Sequence, residues 1–562
     1  MKEIKNIVRS RAHESSSAVE KLYITMRHLF NRGFYKPMGV SGETLREALL
    51  ELRPEIYGSI AGDKVELLGL LYVIERLPIG IEECRFINLT SDEGYSKSHF
   101  TAIIPPKRKR NCYRIDEEQM NVEITRGRSD IYDILTHLTF IFIESHKIKD
   151  RVLLDDSGEL SRDWQKLTQA VTVDEKLSLV DKEIAISHTA NILGRTFAEV
   201  LDIYDAFATE EKPDRFLHVI YWLGKLAIEE IIGNNKRTIT FSPILRERLG
   251  HHIHGEIWAT NIKEVLIAND LLTRPIHIIS ANMHSVMNSI FATHVLKTQF
   301  KDKHTFDIYE ELSRSGAHAV RNKVEDFAKV HGMHSIPDAS GTNIDVQIFD
   351  TSKMDWKKSA FPTAKIEGEA PVIIVMDYAF GEQAYETIDE LLKPYKTETE
   401  KIHLDVVSVS IMGKAGILEG GKGDIMIPSA HINEGTGDNY PFENELTAEM
   451  FAGNDIPVYS GPMVTVLGTS LQNRDLLTFF NKSTWGVIGL EMEGAYYQKA
   501  IQSASKIRKS INHDVKVRYA YYASDNPLET GSTLASGGLG TTGVKPTYLI
   551  TIKILEQIFN IQ

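Results

Sequence analysis

Apolar residues recur at three- and four-residue intervals through much of the first half of the chain. This spacing places them on one side of a helix. It runs through "AVEKLYITMRHLF", "SDIYDILTHLTFIFIESHKI" and "FLHVIYWLGKLAIEEII". Ser129 and Asp130 stand where an N-cap of the second segment is expected. The pattern predicts a mostly helical N-terminal domain over residues 1–265.

The pattern changes to short apolar runs beyond residue 271. "RPIHIISAN" and "NIDVQIFD" are typical of strands, with the helical pattern "HSVMNSIFATHVL" between them. We therefore expect a small α/β segment and linker at 266–360, either separate or part of the domain that follows.

An α/β domain with a central sheet is predicted over residues 361–562. Several of its apolar runs have no alternation, as expected for strands covered on both faces of a sheet. Helical patterns such as "AYETIDELLKPY" fall between some of the runs. The candidate strands are "PVIIVMD", "LDVVSVSIM", "GDIMIPSAH", "PVYSGPMVTVLG", "WGVIGLEM" and "VKVRYAYYASD".

Charge and composition narrow the class of protein. The formal net charge of −13 argues against a nucleic-acid partner, because such proteins are usually basic. The one basic run, "KRKR" at 107–110, follows two prolines and is predicted to be a solvated loop. No run approaches the roughly 18 apolar residues of a membrane helix. With only Cys84 and Cys112, the sequence predicts a soluble, cytoplasmic protein without a membrane partner.

Histidines cluster at two places in the first half. In "THLTFIFIESHKIKD", His137 and Glu144 share one helical face but His146 does not. "GHHIHGEIW" lacks the His-Glu-x-x-His order of a metalloprotease helix. We therefore expect neither a metal site nor a cofactor.

Polar, glycine-containing segments follow four of the candidate strands, where α/β sheets place their ligand sites. Gly413 and Gly416 are expected to lie in a loop and to let the backbone approach a ligand. Taken alone, each segment has a plain interpretation as an ordinary turn or helix start instead of a ligand site. The four are "MGKAGILEGGKGDIMIP" (412–428), "HINEGTGDNY" (431–440), "GLEMEGAYY" (489–497) and "YYASDNPLETGS" (521–532).

In this order and spacing, the motifs resemble the purine nucleoside phosphorylase and nucleosidase superfamily over about residues 371–562. The motifs are "GKAGILEGGKGDIMIP", "EGTGDNY", "SGPMVTV", "EMEGA" and "ASDNPL". They look most like bacterial AMP nucleosidases and methylthioadenosine/adenosylhomocysteine nucleosidases. The resemblance implies a three-layer α/β fold with a central mixed sheet and an N-glycosidase acting on a small purine nucleoside or nucleotide. It also implies a homo-oligomer and, by analogy, a regulatory or oligomerisation role for residues 1–265.

The resemblance also implies roles for individual residues. Asp525 would protonate the leaving purine at N7, with Ser524 orienting its carboxyl group. Glu493 would accept hydrogen bonds from the ribose hydroxyls, and Met492 would pack against the sugar. Glu491 has two open interpretations, a ribose or water contact and a structural role.

The nucleophile distinguishes hydrolysis from phosphorolysis. The phosphorylases carry an arginine where this chain has Ile411, so we expect water to attack, with Glu382 as the candidate base. Lys414 either meets the 5′-phosphate of a nucleotide or is a solvated lysine. The favoured reaction is hydrolysis of AMP or a related adenine nucleoside or nucleotide to free base and ribose or ribose 5-phosphate. The alternatives are phosphorolysis and a non-catalytic nucleotide-sensing or scaffold protein.

Overall fold

A computed structural model describes residues 2–155, 158–172, 177–300, 304–366, 368–529 and 539–561, with backbone only for residues 2–10. The chain forms two compact units, and neither is one continuous stretch of sequence. The predicted domain boundaries at 265 and 360 stay predictions, and the α/β segment at 266–360 lies within unit 2. Unit 1 is Met1–Thr125, Asp130–His251 and Ser470–Leu476, and unit 2 is Arg126–Ser129, His252–Thr469 and Leu477–Gln562.

Helices make up most of unit 1, but they accompany a five-stranded sheet that the sequence pattern did not predict. Its strands contain two to five residues, too few to show a clear alternation. The helices are α1 (Lys2–Arg32), α2 (Val40–Leu52), α3 (Leu67–Ile74), α4 (Gly127–Val152), α5 (Arg162–Thr172), α6 (Leu179–Leu193), α7 (Phe197–Tyr204), α8 (Arg215–Ile232) and α9 (Pro243–Gly250). The strands are β1 (Phe34–Tyr35), β2 (Phe86–Thr90), β3 (Cys112–Arg114), β4 (Gln119–Glu123) and β5 (Thr238–Phe241), in the order β1-β5-β2-β4-β3.

The start of α4 and the basic run that packs on it both differ from the sequence prediction. Because α4 begins at Gly127, Asp130 lies in its first turn and does not cap it. Arg110 is only 2% exposed and pairs with Asp130 at 2.7 Å and with Asp133 at 2.5 Å. Arg108 pairs with Asp133 at 2.8 Å. The solvated-loop prediction for "KRKR" is therefore wrong for its arginines, which neutralise carboxylates on α4, and holds for its exposed lysines.

Unit 2 alternates strands and helices, and each segment predicted to be a strand contains one in the structure. None of the helices in the described ranges combines the length and apolar character that a membrane span requires. The helices are α10 (Ile253–Ala268), α11 (Met283–Val295), α12 (Thr305–Ser313), α13 (His318–Val330), α14 (Gln383–Leu391), α15 (Arg474–Lys482, which begins in unit 1), α16 (Gly494–Gln502) and α17 (Val544–Ile558). The strands are β6 (Ile276–Ser280), β7 (Met333–Ile336), β8 (Val346–Asp350), β9 (Val372–Met376), β10 (Tyr395–Lys396), β11 (Lys401–Ile402), β12 (Val406–Ile417), β13 (Ile425–Asn433), β14 (Asn439–Pro441), β15 (Val458–Thr465), β16 (Gly489–Glu491) and β17 (Lys516–Asp525).

A ten-stranded mixed sheet forms the centre of unit 2, with β10 and β11 in a separate pair. β9, β6, β12 and β17 run parallel as neighbours. Five strands also close into a ring, because β12 pairs with β17, β17 with β13, β13 with β15, β15 with β16, and β16 with β12. The expectation of an α/β domain with a central mixed sheet is confirmed.

Helices cover both faces of this sheet. Ile278 of β6 belongs to a buried cluster with Trp258 of α10 and Ile388 of α14. Its neighbour Ile279 points to the opposite face and belongs to a second cluster, which includes residues of α11, α12, α13 and α17. Successive strand residues therefore bury apolar surface on alternate sides, which explains why these strands are apolar throughout.

Candidate active site

Glu491 ends β16 and caps the helix that follows. Its side chain is only 1% exposed, and Oε2 accepts hydrogen bonds from the backbone N–H groups of Glu493, at 2.5 Å, and Gly494. Oε1 accepts the hydroxyl of Thr465 at 2.5 Å. A carboxylate here satisfies amides that α16 cannot pair internally and is favoured by the helix dipole. These contacts support the structural interpretation of Glu491.

His431 of β13 packs against this cap, and the sequence analysis missed it. The ring is fully buried, with Nδ1 at 3.3 Å from Oε1 of Glu491. It stacks on Phe442 and meets Tyr519 edge-on, with ring centroids 5.4 and 4.8 Å away. A Cβ on Gly494 would lie 2.3 Å from the imidazole, so this position requires glycine. The available signal was the histidine inside "SAHINEG", a polar residue in an apolar strand.

Glu493 lies at the start of α16 and faces the loop before α14. Its Oε1 accepts the backbone N–H of Gly381 at 2.9 Å. Burial, followed by the charge of Glu491, raises the pKa of Glu493 to about 8, while backbone N–H groups and Lys414 act in the opposite direction. Met492 is partly buried and packs against an apolar cluster that includes Leu490. The Glu493 carboxyl group is thus held at a position where ionisation is costly.

Asp525 ends β17 and is 2% exposed. The hydroxyl of Ser524 donates to Oδ1 at 2.5 Å, and it also lies 3.1 Å from the carbonyl of Ala415. Oδ2 has no hydrogen-bond partner within the described residues. Burial raises the pKa of Asp525, whereas the Ser524 hydrogen bond, Lys422 and Lys414 lower it. A carboxyl group with a raised pKa keeps its proton to a higher pH than an ordinary aspartate does. Because one of its oxygens also has no hydrogen-bond partner, it is suited to donating a proton to a ligand.

The glycine segment between these residues is a strand, so the prediction of a loop at 413–416 is wrong. β12 continues to Ile417, and its pairing with β17 shifts between Ala415 and Gly416, which lies opposite Asp525. A Cβ on Gly416 would lie 2.7 Å from Leu490 and 3.8 Å from Oδ2 of Asp525. A Cβ on Gly413 would lie at ordinary contact distances from the rings of Tyr378 and Tyr521. The backbone at Gly416 lies so close to Leu490 on the neighbouring strand that a side chain would not fit. This contact explains why a glycine stands here although the chain makes no turn.

Lys414 and Glu382 complete the residues singled out by sequence. Lys414 is exposed on β12, and its charge lowers the pKa of both Glu493 and Asp525. Glu382 precedes α14 and is next to Gly381; its N–H donates to Oγ of Ser129 at 2.8 Å. The structure therefore gathers Glu493, Asp525 and Lys414 at the carboxyl ends of the strands. It places Glu382 one residue from the backbone that binds Glu493. Residues 530–532 of the fourth polar segment lie outside the described residues.

Three of the histidines in the two clusters have hydrogen-bond partners inside the protein. His137 is hydrogen-bonded to Tyr57 at 3.0 Å, and His146 to Glu230 at 3.2 Å. Nδ1 of His254 lies 2.7 Å from a backbone carbonyl. In the ranges that the structure covers, no three His, Cys, Asp or Glu side chains form a group that could hold a metal ion.

Replacing Glu493 with glutamine should raise the melting temperature by a few degrees near about pH 9. The pKa of Glu493 is about 8 in the folded chain, against an ordinary value of 4.5. Between these values the folded chain holds a proton that the unfolded chain has released, so stability falls as the pH rises through this window. Glutamine does not titrate, so its advantage should shrink as the pH falls towards 4.5. Thermal melts across this range measure the difference.

Glu491→Gln is the matched control, since it replaces a neighbouring glutamate whose oxygens cap α16. This variant should melt below the wild type at pH values under about 8, where Glu493 is protonated and is not repelled by Glu491, because a neutral amide is a weaker acceptor for the helix amides. A Glu493→Gln variant that is less stable than the wild type at alkaline pH would mean that this carboxyl group is not destabilised by its surroundings.

Comparisons with known proteins give a family and distant structural similarities. A family model described as a family of unknown function, DUF6909, matches residues 43–301 and 306–560. No curated protein matches the chain. The methylthioadenosine/adenosylhomocysteine nucleosidase of Campylobacter jejuni is 11% identical with a TM-score of 0.31, over 51% of this chain and 99% of that chain.

Two further solved structures show the same level of similarity. The futalosine hydrolase of Helicobacter pylori is 13% identical with a TM-score of 0.29, over 51% of this chain and 98% of that chain. The uridine phosphorylase of Schistosoma mansoni is 13% identical with a TM-score of 0.30, over 52% and 88% of the two chains. At these values the similarity carries no argument about the activity of this chain.

Proposed function

We propose that this chain, which belongs to the family of unknown function DUF6909, is a nucleosidase that hydrolyses the N-ribosidic bond of a purine nucleoside or nucleotide, with AMP or a related adenine compound as the favoured substrate. One observation carries the proposal. Two carboxyl groups have raised pKa values, Glu493 at the start of α16 and Asp525 at the end of β17, and the charge of Lys414 lowers the pKa of both. The motifs that resemble nucleosidases supply the same two residues.

The proposed chemistry divides the work between these carboxyl groups. Asp525 donates its proton to N7 of the purine as the bond to ribose breaks, which makes the base a better leaving group. Ser524 holds Oδ1 of Asp525, so the other oxygen is the one that meets the base. Glu493 accepts hydrogen bonds from ribose hydroxyls, and this contact strengthens as positive charge develops on the sugar. Met492 packs against the sugar.

Water is the proposed nucleophile. Ile411, in the position where the phosphorylases carry arginine, is 3% exposed and belongs to the apolar core, so it offers no charge to a phosphate nucleophile. Glu382 is the proposed base for the attacking water because it adjoins the backbone that binds Glu493. Full turnover in a Glu382→Gln variant would mean that another group activates the water.

Lys414 is the proposed partner of a substrate phosphate. It is exposed at the same edge as both carboxyl groups, where a point charge suits the 5′-phosphate of a nucleotide. Lys414→Gln should therefore raise the KM for AMP by about tenfold and leave the KM for adenosine unchanged. Equal effects on the two substrates would remove the phosphate contact and leave the nucleosidase proposal in place.

Base release from AMP, IMP, GMP, adenosine, inosine and methylthioadenosine, with and without inorganic phosphate, tests the reaction directly. Chromatography separates the free base from ribose, ribose 5-phosphate and ribose 1-phosphate. Phosphate-independent release of adenine with ribose 5-phosphate is the expected result. A requirement for phosphate, with ribose 1-phosphate as the product, would instead indicate a phosphorylase. Binding of nucleotide without any base release would favour a sensor or scaffold protein.

A further inference from the structure

A cluster of cationic and polar side chains lies where the parallel strands β6, β12 and β17 begin. The candidate active site lies at the other, carboxyl end of β12 and β17. His277, Ser408 and Lys516 are register partners across these strands, and Ser410 and Arg518 are partners two residues further along β12 and β17. Residues two apart on a strand point to the same face. Since Ile279 and Ala520 belong to the cluster beneath α17, these five side chains face α17 too.

Two buried polar groups in this cluster have no partner among the described residues. Arg518 is 3% exposed; its Nε donates to Oε1 of Gln557, but its Nη1 has no hydrogen-bond acceptor. Ser410 is fully buried, and its Oγ also has no partner. Buried polar groups are normally hydrogen-bonded. Two unpartnered groups on residues that are register partners therefore indicate that an acceptor binds here.

The charge balance points to an anion. Among the described residues, Glu445 is the carboxylate whose charge raises the pKa of Arg518, and it is partly exposed and lies 3.8 Å from Lys516. Burial lowers the pKa of Arg518 to about 10, with Glu445 opposing the change. Burial, followed by the charges of Arg518 and Lys516, lowers the pKa of His277 to about 4. Positive charge here is thus incompletely compensated by the protein itself.

We propose that His277, Ser410, Lys516 and Arg518 form a binding site for a small oxyanion, of which inorganic phosphate is the simplest example. The planar fork of Arg518 suits two oxygens of one anion. Ser410 is the register partner of Arg518, so its hydroxyl and the guanidinium group lie on the same face of the sheet. His277 already uses Nδ1 in a hydrogen bond with Ser408 at 2.7 Å, which leaves Nε2 for the anion.

This oxyanion site is separate from the candidate active site. Gly416, which pairs with Asp525, lies six residues after Ser410 along β12, and at the rise of a strand this separation is about 20 Å. β12 and β17 each contribute to both sites and connect them directly along the chain. Occupancy of the oxyanion site by phosphate is therefore expected to stabilise the strand on which Lys414 lies, so the anion acts as an effector and not as a reactant.

Thermal melts with increasing phosphate or sulfate, at constant ionic strength with chloride as the balancing ion, test the oxyanion site. We expect the melting temperature of the full-length protein to rise saturably with phosphate and sulfate, and Arg518→Gln to weaken the apparent affinity by at least about tenfold. Lys414→Gln should keep the wild-type response, because it alters only the candidate active site. No saturable rise, or equal affinity in the wild type and Arg518→Gln, would overturn the proposal.

A milder variant keeps the test decisive if Arg518→Gln does not fold. Ser410→Ala removes one donor with little change in volume, and it should weaken phosphate by about fivefold. An unchanged affinity in Ser410→Ala would contradict the site, as would loss of the phosphate response in Lys414→Gln, which would locate the anion at the candidate active site. Equal stabilisation by chloride would reduce the effect to general salt screening.

Discussion

Asp525→Asn is expected to lower kcat for base release by about a thousandfold, in the middle of the range for loss of a general acid. Asparagine has nearly the same shape and can still accept the Ser524 hydroxyl, but its amide cannot deliver a proton to the departing purine. The dissociation constant of the substrate should change by less than about tenfold, because the ribose contacts remain. Single-turnover measurements and equilibrium binding on the same variant separate the two quantities.

Ser524→Ala provides the matched control for Asp525→Asn. It leaves the acid in place and removes the hydroxyl that holds Oδ1 at 2.5 Å. Its turnover should fall by only about tenfold, since orientation is lost but the proton is not. The hydroxyl also lowers the pKa of Asp525, so the alanine variant should stay protonated, and active, to higher pH. Full turnover in Asp525→Asn would exclude this residue as the acid.

Gly494→Ala is expected to destabilise the protein by about 2 to 3 kcal/mol, the upper part of the usual cost of overpacking a core. The new Cβ would lie 2.3 Å from Cε1 and Nδ1 of His431 and 2.7 Å from Oε1 of Glu491. Neither neighbour can move freely, because the imidazole is enclosed by aromatic rings and the carboxylate caps α16. Denaturant unfolding measures the loss, and the catalytic rate should fall too, since Glu493 is joined to the displaced cap.

Gly421→Ala is the control for Gly494→Ala, because a Cβ there would meet no atom within 4 Å. It should change the free energy of unfolding by less than about 0.5 kcal/mol. A second comparison adds His431→Ala to Gly494→Ala. If the clash with the imidazole is the cause, the double variant should lose less than the sum of the single losses. Additive losses would mean that Gly494 is required for another reason.

The sequence predicted the α/β architecture of the second half well because its signals are local. Parallel strands buried on both faces are continuous apolar runs, and polar residues at their carboxyl ends mark an edge of the sheet. Glu493 and Asp525 were singled out from that edge, and they lie within reach of the same lysine charge. Their roles stay predictions.

The errors came from features that depend on distant partners. Glycines at 413 and 416 are typical of a turn, but at Gly416 the cause is Leu490 on an adjacent strand. The "KRKR" arginines pair with carboxylates 20 and 25 residues further along the chain, which a charge run cannot reveal. His431 was not predicted because its own segment does not indicate that it contacts Glu491, which lies on another strand of the ring.

The course of the chain through unit 1 has a consequence for dividing the protein. Residues 470–476 belong to unit 1, where the amide of Asn473 donates to the carbonyl of Leu52 at 2.8 Å and the carbonyl of Gln472 accepts the N–H of Glu55 at 2.9 Å. A truncation that begins at residue 252 would keep this segment and discard every one of those partners. Residues 1–251 and 252–562 are therefore better produced together as complementary fragments than as independent proteins. Cleavage of the chain near residue 251 should be tolerated, whereas deletion of either fragment should not.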